Sequence, residues 1–178
     1  MNEIPALRTP RLLLEPLVVA HADRLLPGFS DPALYKYIPT EPPGDVEALR
    51  ARYQRLERRC SPDGRERWWN WAVRLASEAT YVGLCEATVH EDMTASVAYF
   101  VFSAHMRQGY GAEQVGAMLR YLAEVGVRRA VARIDSENVT SRRLVEALGF
   151  ARTALVEGAD RFKGRVSDEL VYERALAG

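Results

Sequence analysis

Apolar positions along the chain fall into short runs and helical stripes. Leu12, Leu13 and Leu14 lie between Arg11 and the Glu15-Pro16 pair, a run closed by proline that predicts a first strand. Within 20–29, Ala22, Leu25, Leu26 and Phe29 recur at spacings of three and four and predict a helix. Pro32, Pro39, Pro42 and Pro43 then mark a loop. Asp45 can cap a second helix through Val46, Leu49, Tyr53 and Leu56. Its polar face, with Arg50, Arg52, Arg55, Arg58 and Arg59 against Glu47 and Glu57, reads as solvated surface.

Residues 69–75, 81–90 and 96–102 are rich in β-branched and aromatic side chains and predict an antiparallel meander. The stripe Ala112, Val115, Met118, Leu119, Leu122 and Val125 predicts a long helix ending near Gly126, with a strand over 130–134 behind it. Strand, helix, strand is a parallel crossover. Asn138 opens a short helix that Gly149 stops, and 154–176 reads as two strands around Gly164. The expected whole is one α+β domain over residues 1–178.

Composition narrows the partners. With 178 residues, 48% of them apolar and 27% charged, the chain can bury a core and is neither disordered nor fibrous. Its 24 basic and 24 acidic residues cancel, so no global field favours nucleic acid or a membrane, and neither is expected as a partner. Lysine occurs only at Lys36 and Lys163; the arginine skew reads as coding bias. Cys60 and Cys85 form no disulfide framework, no export segment opens the chain, and no window reaches about 18 apolar residues. Reduced thiols in the cytoplasm are expected.

The chemistry concentrates where the 96–102 run, a loop over 103–108 and Gly109-Tyr110-Gly111-Ala112 meet the long helix. Glycine at 109 and 111 permits positive φ and close approach, while the first helical amides offer free donors and partial positive charge, an anion-binding arrangement. Arg107 adds a full charge. Glycines before a helix are also ordinary turn punctuation, so the loop alone leaves phosphate binding open. A phosphate loop of the nucleotide triphosphatase type is absent. A dinucleotide fingerprint fails where Gln114 replaces its last glycine, although Asp135 superficially matches the ribose-binding acid. His21, His90 and His105 show no ligand spacing with the cysteines, so no metal is expected. No Gly-x-Ser-x-Gly turn exposes a nucleophile.

Several segments together resemble the GNAT superfamily of N-acetyltransferases, in particular its RimL-like branch, over about residues 7–176. They are Thr9-Pro10-Arg11-Leu12-Leu13-Leu14, Ala98-Tyr99-Phe100, Arg107-Gln108-Gly109-Tyr110-Gly111-Ala112-Glu113, Asn138-Val139-Thr140-Ser141, Leu148-Gly149-Phe150, and the tail Arg161, Gly164-Arg165, Asp168 and Tyr172. The resemblance implies a central, mostly antiparallel twisted sheet with one splayed parallel strand pair and helices on both faces. It implies acetyl-CoA as acetyl donor, an amine as acceptor, and a second copy of the chain as a candidate partner. Pantetheine would lie along Phe100, Val101 and Phe102 as an added strand would. The amides of Gln108, Gly109, Tyr110, Gly111 and Ala112, with Arg107, would hold the pyrophosphate. Asn138 would contact the pantetheine arm, though a plain helix cap calls for the same residue type.

Two positions depart from the family pattern: Met106 stands where Gln or Arg is common, and Val145 stands where many relatives place an acidic tyrosine. Ser141 is then the candidate proton donor to the leaving thiolate, or a capping-turn hydroxyl. Glu86 is the candidate base, with Glu91, Asp92, His90 and His105 behind it. The attacked carbonyl oxygen gains charge, so a backbone donor near Val101 or Phe102 would help; losing such a donor costs about 100-fold or more. An unperturbed α-amine, with pKa about 8, is roughly one-tenth neutral at pH 7, against about one lysine in 2,500. A small amine or protein N-terminus is the expected acceptor. Trp68, Trp69 and Trp71 with Tyr35 and Tyr37 either line an acceptor pocket or pack the core. A non-catalytic acyl-CoA-binding module is the rival reading.

Overall fold

The computed structural model describes residues 4–176; residues 1–3 and 177–178 of the expected 1–178 domain lie outside the described residues. Leu12–Leu14 belongs to β2 (Leu12–Pro16), which pairs back onto a strand not foreseen, β1 (Leu7–Arg8). Thr9 shapes the turn between them, its hydroxyl accepting from the Leu12 amide at 2.9 Å. Two helices follow, α1 (Ala22–Phe29) and α2 (Val46–Leu56). Asp45 caps α2 as its spacing implies, its carboxylate accepting from the Ala48 amide at 2.8 Å.

The meander is β3 (Arg67–Leu75), β4 (Tyr81–Val89) and β5 (Thr94–Val101). The crossover follows as α3 (Tyr110–Glu124) and β6 (Arg129–Asp135), then α4 (Val139–Ala147), β7 (Ala151–Phe162) and β8 (Arg165–Ala175). Among the described residues eight strands form one sheet in the order β1-β2-β3-β4-β5-β6-β8-β7, in which β5 and β6 alone pair in parallel.

Strand alternation divides the core between the two faces of this sheet. On one face Trp71, Val73 and Cys85 meet Val115, Met118 and Leu122 of α3 and Val145 of α4. On the other, Ala72 and Leu84 meet Leu25 and Phe29 of α1, Leu49 and Tyr53 of α2, and Phe102. Each fully buried side chain of this size contributes about 1.5–3 kcal/mol. The aromatic residues divide accordingly. Trp69 and Trp71 pack on Tyr121 with ring centroids 5.6 and 5.7 Å apart, and the buried Tyr35 donates its hydroxyl to the Phe29 carbonyl. These three are core, not acceptor pocket.

The end of β6 is tied to β8 through Asp135, whose side chain is 2% exposed and accepts from Arg165 and from the Ser167 hydroxyl. Its other oxygen accepts from the Glu137 amide at 2.9 Å. Burial alone would raise this carboxyl, but the hydrogen bonds from Ser167, Arg165 and the Glu137 amide outweigh burial and hold it below its ordinary range. With every partner supplied by the protein, Asp135 has no free oxygen for a ribose, and the dinucleotide reading loses its acid.

A folded-state pKa below the unfolded value of about 3.9 gives stability that is present above about pH 4 and disappears as pH falls through the folded value. Asp135→Asn is expected to cost about 1.5–3 kcal/mol at pH 7, or about 3–12 °C in Tm. Thermal melts of wild type and variant should converge once pH has fallen through that folded value. A gap that persists there would mean the carboxylate charge is not the source.

Candidate active site

The site is built on the place where β5 and β6 separate. Their parallel pairing covers only Thr94–Arg129, Ala95–Ala130 and Ser96–Val131. Beyond it β5 continues on β4 as far as Val101, paired with Gly83, and β6 continues on β8 as far as Asp135, paired with Glu169. Each strand is held on its outer side while the inner sides part. Phe102 donates its amide to the Val82 carbonyl at 2.8 Å, so alternation turns the backbone groups of Val101, Tyr99 and Val97 toward the gap. Phe102 is therefore excluded as the donor to an attacked carbonyl: its amide is taken and its ring is 5% exposed, edge-on to Phe29. Val101 keeps that role open. The Phe100 carbonyl is also engaged, by the Gln114 side-chain amide at 2.9 Å.

The glycine loop and α4 both begin at the open end of the gap, beyond the carboxyl ends of the two parallel strands, where ligands gather in such sheets. Among the described residues, no amide from Arg107 to Ala112 donates to the protein. Arg107 (φ 60°) and Gly109 (φ 82°) are both left-handed, a curl that points successive amides at an anion. Gly111 differs from the expectation: it lies in the first turn of α3 without a positive φ, and a Cβ there would meet Leu144 Cδ1 at 2.6 Å. It serves the close packing of α3 on α4. Tyr110 and Ala112 fall in the same first turn.

Distant residues brace the loop. Glu113 accepts from the Thr9 hydroxyl at 2.6 Å, from the Arg11 amide at 3.0 Å and from Arg11 Nε at 2.6 Å. Arg11 also donates to the Gln108 carbonyl at 2.9 Å and lies over the Tyr110 ring. Burial alone would raise Glu113, but the bonds from Thr9 and Arg11 lower it on balance.

Across the gap, Asn138 caps α4 through its oxygen, which accepts from the Ser141 amide at 3.1 Å; its Nδ2 has no protein partner among the described residues. The Ser141 carbonyl accepts from Tyr99 O–H at 3.3 Å, and the Ser141 side chain hydrogen-bonds with the same phenol. Burial pushes the Tyr99 phenol up to about 12, so it stays protonated at neutral pH. Val145 is fully buried in the core.

Glu86 lies in a cross-strand row with Asn70 and Ala98, on the α1/α2 face. Arg52 donates to its Oε1 at 2.8 Å, so this arginine is not merely part of a solvated surface. Two buried polar groups share that face without partners among the described residues, Tyr53 Oη and Asn70 Nδ2. His90, Glu91 and Asp92 sit in the β4–β5 turn instead, at the closed end of the gap. They line an open cleft of about 990 Å³ with Trp68, Glu66 and Asp63, remote from the parted strands. His105 precedes the glycine loop, its ring 6.5 Å from Tyr110. Lys163, at the tip of the β7–β8 hairpin, donates to the carbonyls of Tyr35, Ile38 and Thr40 at 2.6, 2.9 and 3.1 Å, fastening the proline-rich loop.

Comparison with known proteins agrees with this architecture. The family profile of the Acetyltransferase (GNAT) domain matches residues 11–151, and the chain belongs to that family. It is 27% identical to an uncharacterized N-acetyltransferase p20 of Bacillus licheniformis, over 97% of this chain and 98% of that one. Among solved structures it superposes on RimL, a ribosomal L7/L12 α-N-protein acetyltransferase in complex with coenzyme A, with a TM-score of 0.87 at 17% identity over 97% and 98% of the two chains. Spermidine N-acetyltransferase from Vibrio cholerae, in complex with CoA and spermine, gives 0.81 at 17% identity over 94% and 97%. Both establish the fold, and together they leave the branch open. Among the described residues no helix is long and apolar enough to cross a membrane, and no cluster of His, Cys, Asp and Glu could hold a metal.

Lys163→Met removes the three bonds to the loop. Loss of roughly 1–2 kcal/mol of local closure should speed proteolysis within residues 36–44 by about 5–30-fold, read by limited digestion and mass spectrometry, with little change in Tm. Unchanged cleavage would show that the loop is held otherwise.

Proposed function

We propose that this chain transfers an acetyl group from acetyl-CoA to a primary amine by direct attack in a ternary complex. The acceptor is a small amine or a protein N-terminal α-amine, as in the RimL-like branch. The observation that carries the reading is the coincidence of parted parallel strands with a run of uncommitted amides at their open end.

The residues suit this co-substrate. The amides of Gln108 to Ala112 and the Arg107 guanidinium supply donors and positive charge for a pyrophosphate. The gap-facing backbone of Val97, Tyr99 and Val101 offers a strand edge to an amide-bearing arm, and Asn138 Nδ2 adds a donor opposite. Acetyl-CoA supplies the activated acyl group; the protein holds it, orients it and moves protons. The Val101 amide stabilises the carbonyl oxygen as it gains charge. Glu86, with Oε2 left by Arg52, takes a proton from the attacking amine on the α1/α2 face. The Ser141 hydroxyl relays a proton from solvent to the departing sulfur, regaining its own as it gives one up. A non-catalytic acyl-CoA-binding module is the second reading, favoured by the buried Val145.

The test is thiol release from acetyl-CoA with a panel of polyamines, aminoglycosides, amino acids and peptide N-termini. Saturable release with at least one amine is expected. Ser141→Ala should keep CoA affinity within about threefold and slow transfer about 10–100-fold; Glu113→Ala should weaken CoA binding about tenfold by freeing the loop. Tight CoA binding in calorimetry with no amine turned over selects the non-catalytic module, and equal turnover in Ser141→Ala removes the proton-donor role.

A further inference from the structure

Gln114 is fully buried in α3 and spends its side-chain amide on a strand carbonyl. Since the Phe100 carbonyl can only accept, the Nε2 end of Gln114 must face it. Its Oε1 is then left buried without a donor among the described residues. A leucine or methionine would fill the same space with no orphaned atom. Packing alone does not explain the residue.

The neighbouring strand makes room for the same carbonyl. A Cβ on Gly83 would lie 2.1 Å from the Phe100 oxygen and 3.2 Å from Gln114 Oε1. A ladder carbonyl ordinarily lies in the plane of the sheet; this one leans over Gly83 toward α3. The peptide is planar and trans, so its C=O and N–H point in opposite directions. Drawing the Phe100 oxygen toward α3 swings the Val101 N–H out of the sheet toward the α1/α2 face, beside the gap. That is the face carrying Glu86.

We infer that Gln114 is a positioning residue: with the space left by Gly83, it tilts the Phe100–Val101 peptide so that the Val101 amide aims at the oxygen of a bound thioester. This rests on the acetyl-transfer reading above.

The test uses [1-13C]acetyl-CoA bound at saturation, a readout that needs no acceptor. In wild type the thioester carbonyl resonance moves downfield of free acetyl-CoA; in Gln114→Met that displacement is lost, kcat falls about 10–100-fold, and acetyl-CoA affinity stays within about threefold. Gln114→Glu keeps the shape and can donate only when protonated, so its rate relative to wild type rises as pH falls. A displacement and kcat unchanged in Gln114→Met overturn the assignment, as does a wild-type resonance that does not move on binding. Displacement without turnover of any amine sustains Gln114 and sinks the acceptor chemistry alone. No binding of acetyl-CoA by wild type sinks both.

Discussion

Backbone polar groups in a sheet need partners, and the inner edge of β5 beyond Ser96 has none from β6. The parting persists because each strand is committed elsewhere: β5 keeps its register on β4 to Val101, and β6 keeps its own on β8 to Asp135. Packing of Gly111 against Leu144 brings α3 onto α4 and seats both helix starts at the mouth of the gap. The result is an unfinished sheet edge facing an amide-lined loop. An extended molecule with amide groups along its length and a diphosphate at one end satisfies both at once.

Rigidity of that mouth comes from far along the chain. Glu113 gathers Thr9 and Arg11, and Arg11 in turn reaches the Gln108 carbonyl. The β1–β2 turn thus acts as a bracket that holds Arg107 and Gly109 in left-handed conformations before any ligand arrives. Ordering a loop in advance removes an entropic cost from binding.

Local signals were legible in the sequence. The caps at Asp45 and Asn138, the stripe of α3 and the β7–β8 hairpin depend on neighbours within a few residues, and they formed as read. What escaped depends on partners brought together only by folding. β1 is two residues long, too short for periodicity to register. Arg52 on a charged helix face gives no sign that Glu86 is its partner 34 positions away. Phe102 looked like part of the parted strand, and only the register with Val82 shows its amide to be spent. Gly111 read as a loop residue because glycine permits positive φ, whereas the helix requires it small. Gln114, noticed as a failed glycine, acquires meaning only from the carbonyl above it.

The fastening of the proline-rich loop has one more chemical consequence. A catalyst of amine acylation is exposed to its own lysines, and this chain has two. Lys163 has its Nζ occupied by three carbonyl oxygens, which holds it in place on the proline-rich loop. Arginine, which carries almost all the remaining positive charge, stays protonated and makes a poor nucleophile. Of the two lysines, Lys36 is the one exposed on the surface, and Lys163 is tethered to the loop it fastens.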